Sequence, residues 1–144
     1  MIDTIQRVCR LLSATGATPI EVARQLGQVV EGGAGDHEIV VRPTNSAVGS
    51  ATVVARIDAP ETDFVALEPA PGARLTVSQL TAALGPYREG PRTRPLAPRR
   101  IVFRPDVRGP THTCAVTADV SPEPGAVDDR TVDLVIVRRD PIVR

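Results

Sequence analysis

Thr18-Pro-Ile-Glu21-Val22-Ala-Arg-Gln-Leu26-Gly27 is echoed 58 residues later by Thr76-Val-Ser-Gln79-Leu80-Thr-Ala-Ala-Leu84-Gly85. In both runs a threonine precedes Glu or Gln by three residues, the spacing at which each side chain satisfies the other's backbone N–H at a helix start. Pro19 suits a first helical position, and Leu75 is placed to staple onto Leu80. Each run then stops at Leu-Gly, where Gly27 and Gly85 suit a left-handed C-terminal position. Farther on, Ile39-Val40-Val41-Arg42-Pro43 returns as Ile101-Val102-Phe103-Arg104-Pro105, shifted by 62. The extra four residues fit a longer loop in the second copy. The expectation is an internal duplication, with repeats over 18–69 and 76–138.

Alternation places three strands after each repeated helix, at 37–42, 51–58 and 63–68, then at 99–104, 112–120 and 131–138. Val53, Ala55 and Ile57 oppose Thr52, Val54, Arg56 and Asp58; Cys114, Val116, Ala118 and Val120 oppose Thr113, Ala115, Thr117 and Asp119. One polar and one apolar face per strand marks an antiparallel sheet covered on a single side. The third strands, Asp63-Phe-Val-Ala-Leu and Asp133-Leu-Val-Ile-Val, are apolar on both faces and belong at the centre, where the copies meet. Residues 3–13 read as an extra amphipathic helix, with Ile5, Val8, Cys9 and Leu12 on one stripe and Asp3 with Gln6 at capping-box spacing. The fold expected is α+β, a single domain over 1–144. It has about six antiparallel strands with three helices on one face, and a Pro/Gly-rich linker from Glu68 to Arg74.

Tandem helix-plus-meander units, each opened by a T-x-x-[EQ]-h-x-x-x-L-G helix, are similar in layout to the β-lactamase inhibitor protein and to small outer-membrane assembly lipoproteins. The letters match over residues 18–27 and 76–85. The resemblance implies a module that binds through the face of its sheet. This chain departs from that inhibitor in its scarce aromatics, in the absence of a signal-like N-terminus, and in three expected strands per unit instead of four.

The aromatic side chains are Phe64, Phe103 and Tyr87, so Val, Ala, Leu and Ile must supply most of the core. All 17 basic residues are arginine, a bias expected of a GC-rich bacterial genome. Formal charge is zero, but residues 1–72 carry five Arg against nine Asp/Glu, and residues 73–144 carry twelve against eight. Halves at −4 and +4 can attract within a chain or between subunits. Without bulk basic excess, nucleic-acid binding is not expected. No apolar run reaches the ~18 residues of a membrane span. Two cysteines make no disulfide framework, so a cytoplasmic protein with free, buried thiols is expected.

Candidate chemistry is sparse. His37 and His112 lack metal-ligand spacing and read as exposed or capping residues. Cys9 and Cys114 both lie on apolar faces and are expected to be small buried core residues, with proximity and a bond between them as the minor alternative. Gly32-Gly33-Ala-Gly35-Asp36 leads into a strand, where a phosphate cradle leads into a helix, so it reads as a turn. Asp58, Glu61 and Asp63, like Asp128 and Asp129, read as exposed loop acids. Neither cofactor nor metal ligand set is legible.

Two basic features remain. Pro86 to Arg108 holds seven arginines, and its prolines favour an extended arm carrying Arg88, Arg92, Arg94 and Arg99. Arg42 and Arg104 hold matching places in the two copies, and with Arg56, Thr52, Thr113 and Thr117 they would form a polar sheet-face site for an anionic group. The functional expectation is a non-enzymatic binding or regulatory module. It acts through the exposed sheet face and the Arg-rich arm on a protein partner, or by self-association. The alternative is a small ligand-binding protein or enzyme, with an anionic substrate held between the two repeats.

Overall fold

The computed structural model describes residues 1–14, 16–91 and 98–142. Among them are helices α1 (Ile2–Ser13), α2 (Pro19–Leu26) and α3 (Val77–Leu84). The strands are β1 (Gly27–Glu31), β2 (Glu38–Pro43), β3 (Val48–Ala55), β4 (Thr62–Pro69), β5 (Tyr87–Glu89), β6 (Arg99–Phe103), β7 (His112–Val120) and β8 (Val132–Pro141). All eight form one antiparallel sheet in the order β1-β2-β3-β4-β8-β7-β6-β5. The α+β class stands, with eight strands among the described residues where six were expected. The additional strands, β1 and β5, are the two edges. Each follows its Leu-Gly stop at once and is too short to display alternation.

The sheet order reads alike from either edge. Val41 pairs with Ala51 and Ile39 with Val53, as Phe103 pairs with Val116 and Ile101 with Ala118. Val53–Val65 and Ala51–Leu67 are matched by Ala118–Val135 and Val116–Val137. Even the edges agree, Val29 facing Val41 and Tyr87 facing Phe103. In the middle β4 meets β8, with Ala66 opposite Ile136. Both central strands are the apolar runs, as befits strands flanked on both sides.

One hydrophobic core joins the helices to the inward face of the sheet. Ile5, Val8, Cys9 and Leu12 of α1, Val22 and Leu26 of α2, and Leu80 of α3 meet Ile39, Val53, Leu67, Phe103, Val116 and Val137. α1 lies on β4, β7 and β8, while α2 lies on β1 to β3. Burying such side chains contributes roughly 1.5–3 kcal/mol each. Residue Thr76 accepts from Gln79 N at 3.2 Å, and Gln79 Oε1 accepts from Thr76 N at 3.0 Å. Glu21 likewise accepts from Thr18 N at 3.1 Å. At α1 the expected Asp3–Gln6 box is absent: Met1 is the N-cap, and Asp3 sits inside the first turn, where its charge meets the positive end of the helix.

The expectation of free thiols is corrected. Cys9 of α1 and Cys114 of β7 are buried in the core, as their faces indicated, but they are joined as a disulfide across 105 residues. Both are essentially inaccessible. With the sulfurs bonded, the thiol-based argument for a reducing compartment no longer applies. No helix among the described residues is long and apolar enough to cross a membrane.

Candidate functional site: the open face of the sheet

The three helices cover one side of the sheet and leave the other bare. The uncovered side shows what alternation sends away from the core. Val40, Thr52, Ala66, Ile136, Thr117 and Val102 lie in register as one row across six strands. Beside that row stand Val54, Phe64 and Leu134. These nine residues are half-buried by their neighbours and by nothing else among the described residues. Ladder pairing leaves no backbone donor or acceptor free in the middle of this surface, so it offers side-chain contact rather than strand addition.

Arginines and carboxylates rim the apolar centre. Arg100 Nε donates to Asp119 Oδ1 at 2.8 Å, a bond that raises the guanidinium above its ordinary value. Arg104 is ion-paired with Asp140. Arg42, Arg88 and Arg138 are exposed and make no ion pair among the described residues. Arg42 and Arg104 do both point away from the core, yet the sheet does not bring them together. Arg42 stands on β2 and Arg104 directly follows β6, five strand steps away, which is roughly 24 Å at the usual inter-strand spacing. No small anion spans that distance. Arg56 lies beyond β3, beside Asp58 at 3.4 Å and Glu61 at 4.0 Å.

The expected extended arm is instead a hairpin. Tyr87–Glu89 and Arg99–Phe103 pair as β5 and β6, and Arg99 Nε donates to the two Glu89 carboxylate oxygens at 2.9 and 3.2 Å. Prolines 86 and 91 flank the short strand instead of extending an arm. Arg88 faces the open side beside Val102. Arg92 and Arg94 lie outside the described residues.

One polar cluster was not anticipated. Arg139, 8% exposed, continues the inward positions Val135 and Val137 and so carries a guanidinium into the covered side. Its Nη1 donates to Glu61 Oε2 at 3.1 Å and its Nη2 to His112 Nδ1 at 3.0 Å, while Nε has no partner. Because arginine only donates, Nδ1 must be the acceptor and His112 carries its proton on Nε2. Burial and the nearby Arg139 charge hold His112 below its ordinary value. Glu61 is thus the counter-ion of a buried cation and not a free loop acid. The signal was present in the alternation Val135-x-Val137-x-Arg139, which puts a charge on the core side.

A groove of about 630 Å³ lies elsewhere, between the start of α1, the linker after β4, and α3. Its wall includes Ile2, Leu75 and Ala83, with Asp3, Arg74 and Gln79 as polar members. Arg74 already donates to the Asp129 carbonyl at 3.0 Å. Among the described residues, none of the candidate arginines lines this groove, and no acid–base pair converges in it. No family model, no curated protein and no solved structure matches this chain.

Proposed function

We propose that this chain is a non-enzymatic docking module that receives a polypeptide partner on the open face of its sheet. The supporting observation is the uncovered apolar centre, with Phe64, Ala66, Leu134 and Ile136 side by side on the two middle strands. Apolar surface gathered inside a polar rim is the anatomy of protein interfaces. The rim arginines serve orientation and encounter more than affinity. We further read the two halves as copies of one helix-plus-four-strand unit, supported by the matching registers on either side of the β4–β8 ladder. Affinity capture with the wild-type chain and with Ile136→Asp tests the docking reading. A partner held by the wild type and released by the variant supports it; equal capture by both, or by neither, overturns it.

A further inference from the structure

The charges of the open face are divided between the halves of the sheet. On β1 to β4 the outward charges are Glu31, Glu38 and Glu68 against Arg42, three carboxylates to one arginine, a net −2. On β5 to β8 they are Arg88, Arg100, Arg104 and Arg138 against Asp119 and Asp140, four to two, a net +2. Three register-equivalent pairs have opposite signs, Glu31 with Arg88, Glu38 with Arg100 and Glu68 with Arg138, whereas the fourth, Arg42 with Arg104, is alike. A surface with one acidic and one basic half around an apolar centre is complementary to itself.

We propose that the occupant of the open face is a second copy of this chain, related by a two-fold axis running parallel to the strands. The proposal rests on the docking reading and names its partner. A closed two-fold interface requires the same patch on both subunits to be self-complementary. With the axis along the strands, β1–β4 of one copy lie over β5–β8 of the other, the −2 half on the +2 half. Glu38 then approaches Arg104 of the second copy, Glu31 approaches its Arg88, Arg42 falls over its Arg100–Asp119 pair, and the Ala66–Ile136 centre meets its own image. With the axis across the strands, Glu31 would meet Glu31, Arg88 would meet Arg88 and Arg100 would meet Arg104, leaving Glu38 with Arg42 as the opposite-charge contact, and the juxtaposed like charges disfavour that arrangement. Two sheets so stacked pack ~10 Å apart with strands within about 30° of alignment.

The area is adequate. Eight strands at ~4.8 Å by about five residues at ~3.3 Å project roughly 600 Å², before side-chain relief is counted, on the scale of the ~800 Å² each partner buries in a stable complex.

Light scattering and sedimentation of the full chain test this, with thermal unfolding as the check that each variant folds. The wild type is expected to be a dimer and Ile136→Asp a folded monomer. Arg88→Glu with Arg104→Glu, and separately Glu31→Arg with Glu38→Arg, should each weaken self-association by about tenfold or more. An equimolar mixture of these two double variants should recover a mixed dimer, because each reversed half then meets a reversed partner. A dimer that survives Ile136→Asp would overturn the second-copy proposal, since it would use another surface. Variants that dimerise separately but gain nothing on mixing would overturn the axis. A monomeric wild type would overturn the second-copy proposal alone, and the docking reading then stands or falls on capture of a different partner by wild type but not by Ile136→Asp.

Discussion

Ala66 and Ile136 face each other across the β4–β8 ladder, flanked by Val65–Val137 and Leu67–Val135. The shift of 70 residues that carries Val65 to Val135 and Leu67 to Val137 also carries Ala66 to Ile136, so this pair stands at the pivot between the halves. The two faces of this central ladder differ in consequence. Leu67, pointing inward, is fully buried, whereas Ile136, pointing outward, is half-buried. Leu67→Ala should therefore cost about 2–5 kcal/mol in denaturant unfolding. Ile136→Ala should cost well under half as much while weakening association. Equal losses at both positions would mean that the open face is covered within the monomer.

The Cys9–Cys114 bond closes a loop spanning most of the chain and ties α1 to β7. Removing a cross-link over a loop of ~100 residues forfeits up to about 4.7 kcal/mol on the chain-entropy account. Cys9→Ser with Cys114→Ser should lower the melting temperature substantially without changing the far-UV spectrum. Thiol titration of the unreduced, denatured wild type should find no free thiol. Two titratable thiols there would show that the pair is reduced.

What was legible in the sequence came from strong local chemistry. Thr18–Glu21 and Thr76–Gln79 are reciprocal caps whose spacing has one structural meaning, and both helices start where they say. Alternation assigned faces correctly within most of the long strands, but Ile57, grouped with Val53 and Ala55 on the apolar face, lies past the end of β3 and is almost fully exposed. It failed at β1 and β5, which hold five and three residues. Arginines and prolines around β5 read as an unpaired arm because the pairing that makes them a hairpin is a tertiary fact. The cluster of Arg139, Glu61 and His112 stayed hidden for the same reason: residues 78 and 27 positions apart meet only through sheet order.

The hairpin divides the arginines once assigned to a single arm. Arg99 is bound to Glu89 across β5 and β6, while Arg88 is exposed on the opposite face. An ion pair near the surface is worth ~0.2–1 kcal/mol. Arg99→Ser should lower stability by about that amount and raise hydrogen exchange in β5. Arg88→Ser should leave unfolding unchanged and act only on association. Loss of stability at Arg88 would show that its side chain is part of the fold.

Gly27 and Gly85 end matching helices for different physical reasons. Gly85 has φ of 93°, a left-handed value suited to glycine, with open space around it. Gly27 is extended at φ 163°, but a Cβ there would meet the Arg42 carbonyl oxygen at 2.1 Å. Gly27→Ala must therefore displace β2 backbone and should lower the melting temperature markedly. Gly33→Ala, in the β1–β2 turn with nothing within 4 Å, should be nearly neutral. A neutral Gly27→Ala would mean that β1 sits farther from β2 than described.

His112 sets a pH dependence whose sign follows from its surroundings. It faces Arg139 and Thr111 directly, with Glu61, Arg56 and Asp140 near enough to matter. Burial, then Arg139, lowers its pKa from the ordinary 6.5; Arg56 adds to this, and Glu61 and Asp140 oppose it. A protonated His112 would also lose Nδ1 as the acceptor for Arg139, leaving a buried cation held by Glu61 alone. Because the folded value lies below the unfolded one, the unfolded chain binds more protons in this range. The contribution of neutral His112 is fully present above the unfolded value near 6.5 and is lost as pH falls through it toward the lowered folded value. Denaturant midpoints measured from pH ~8 down to ~5 should fall in that window. His112→Gln keeps an acceptor oxygen without a titrating proton, so it should flatten the fall while leaving the pH 8 midpoint close to wild type. An unchanged pH profile in His112→Gln would place the titration on another group.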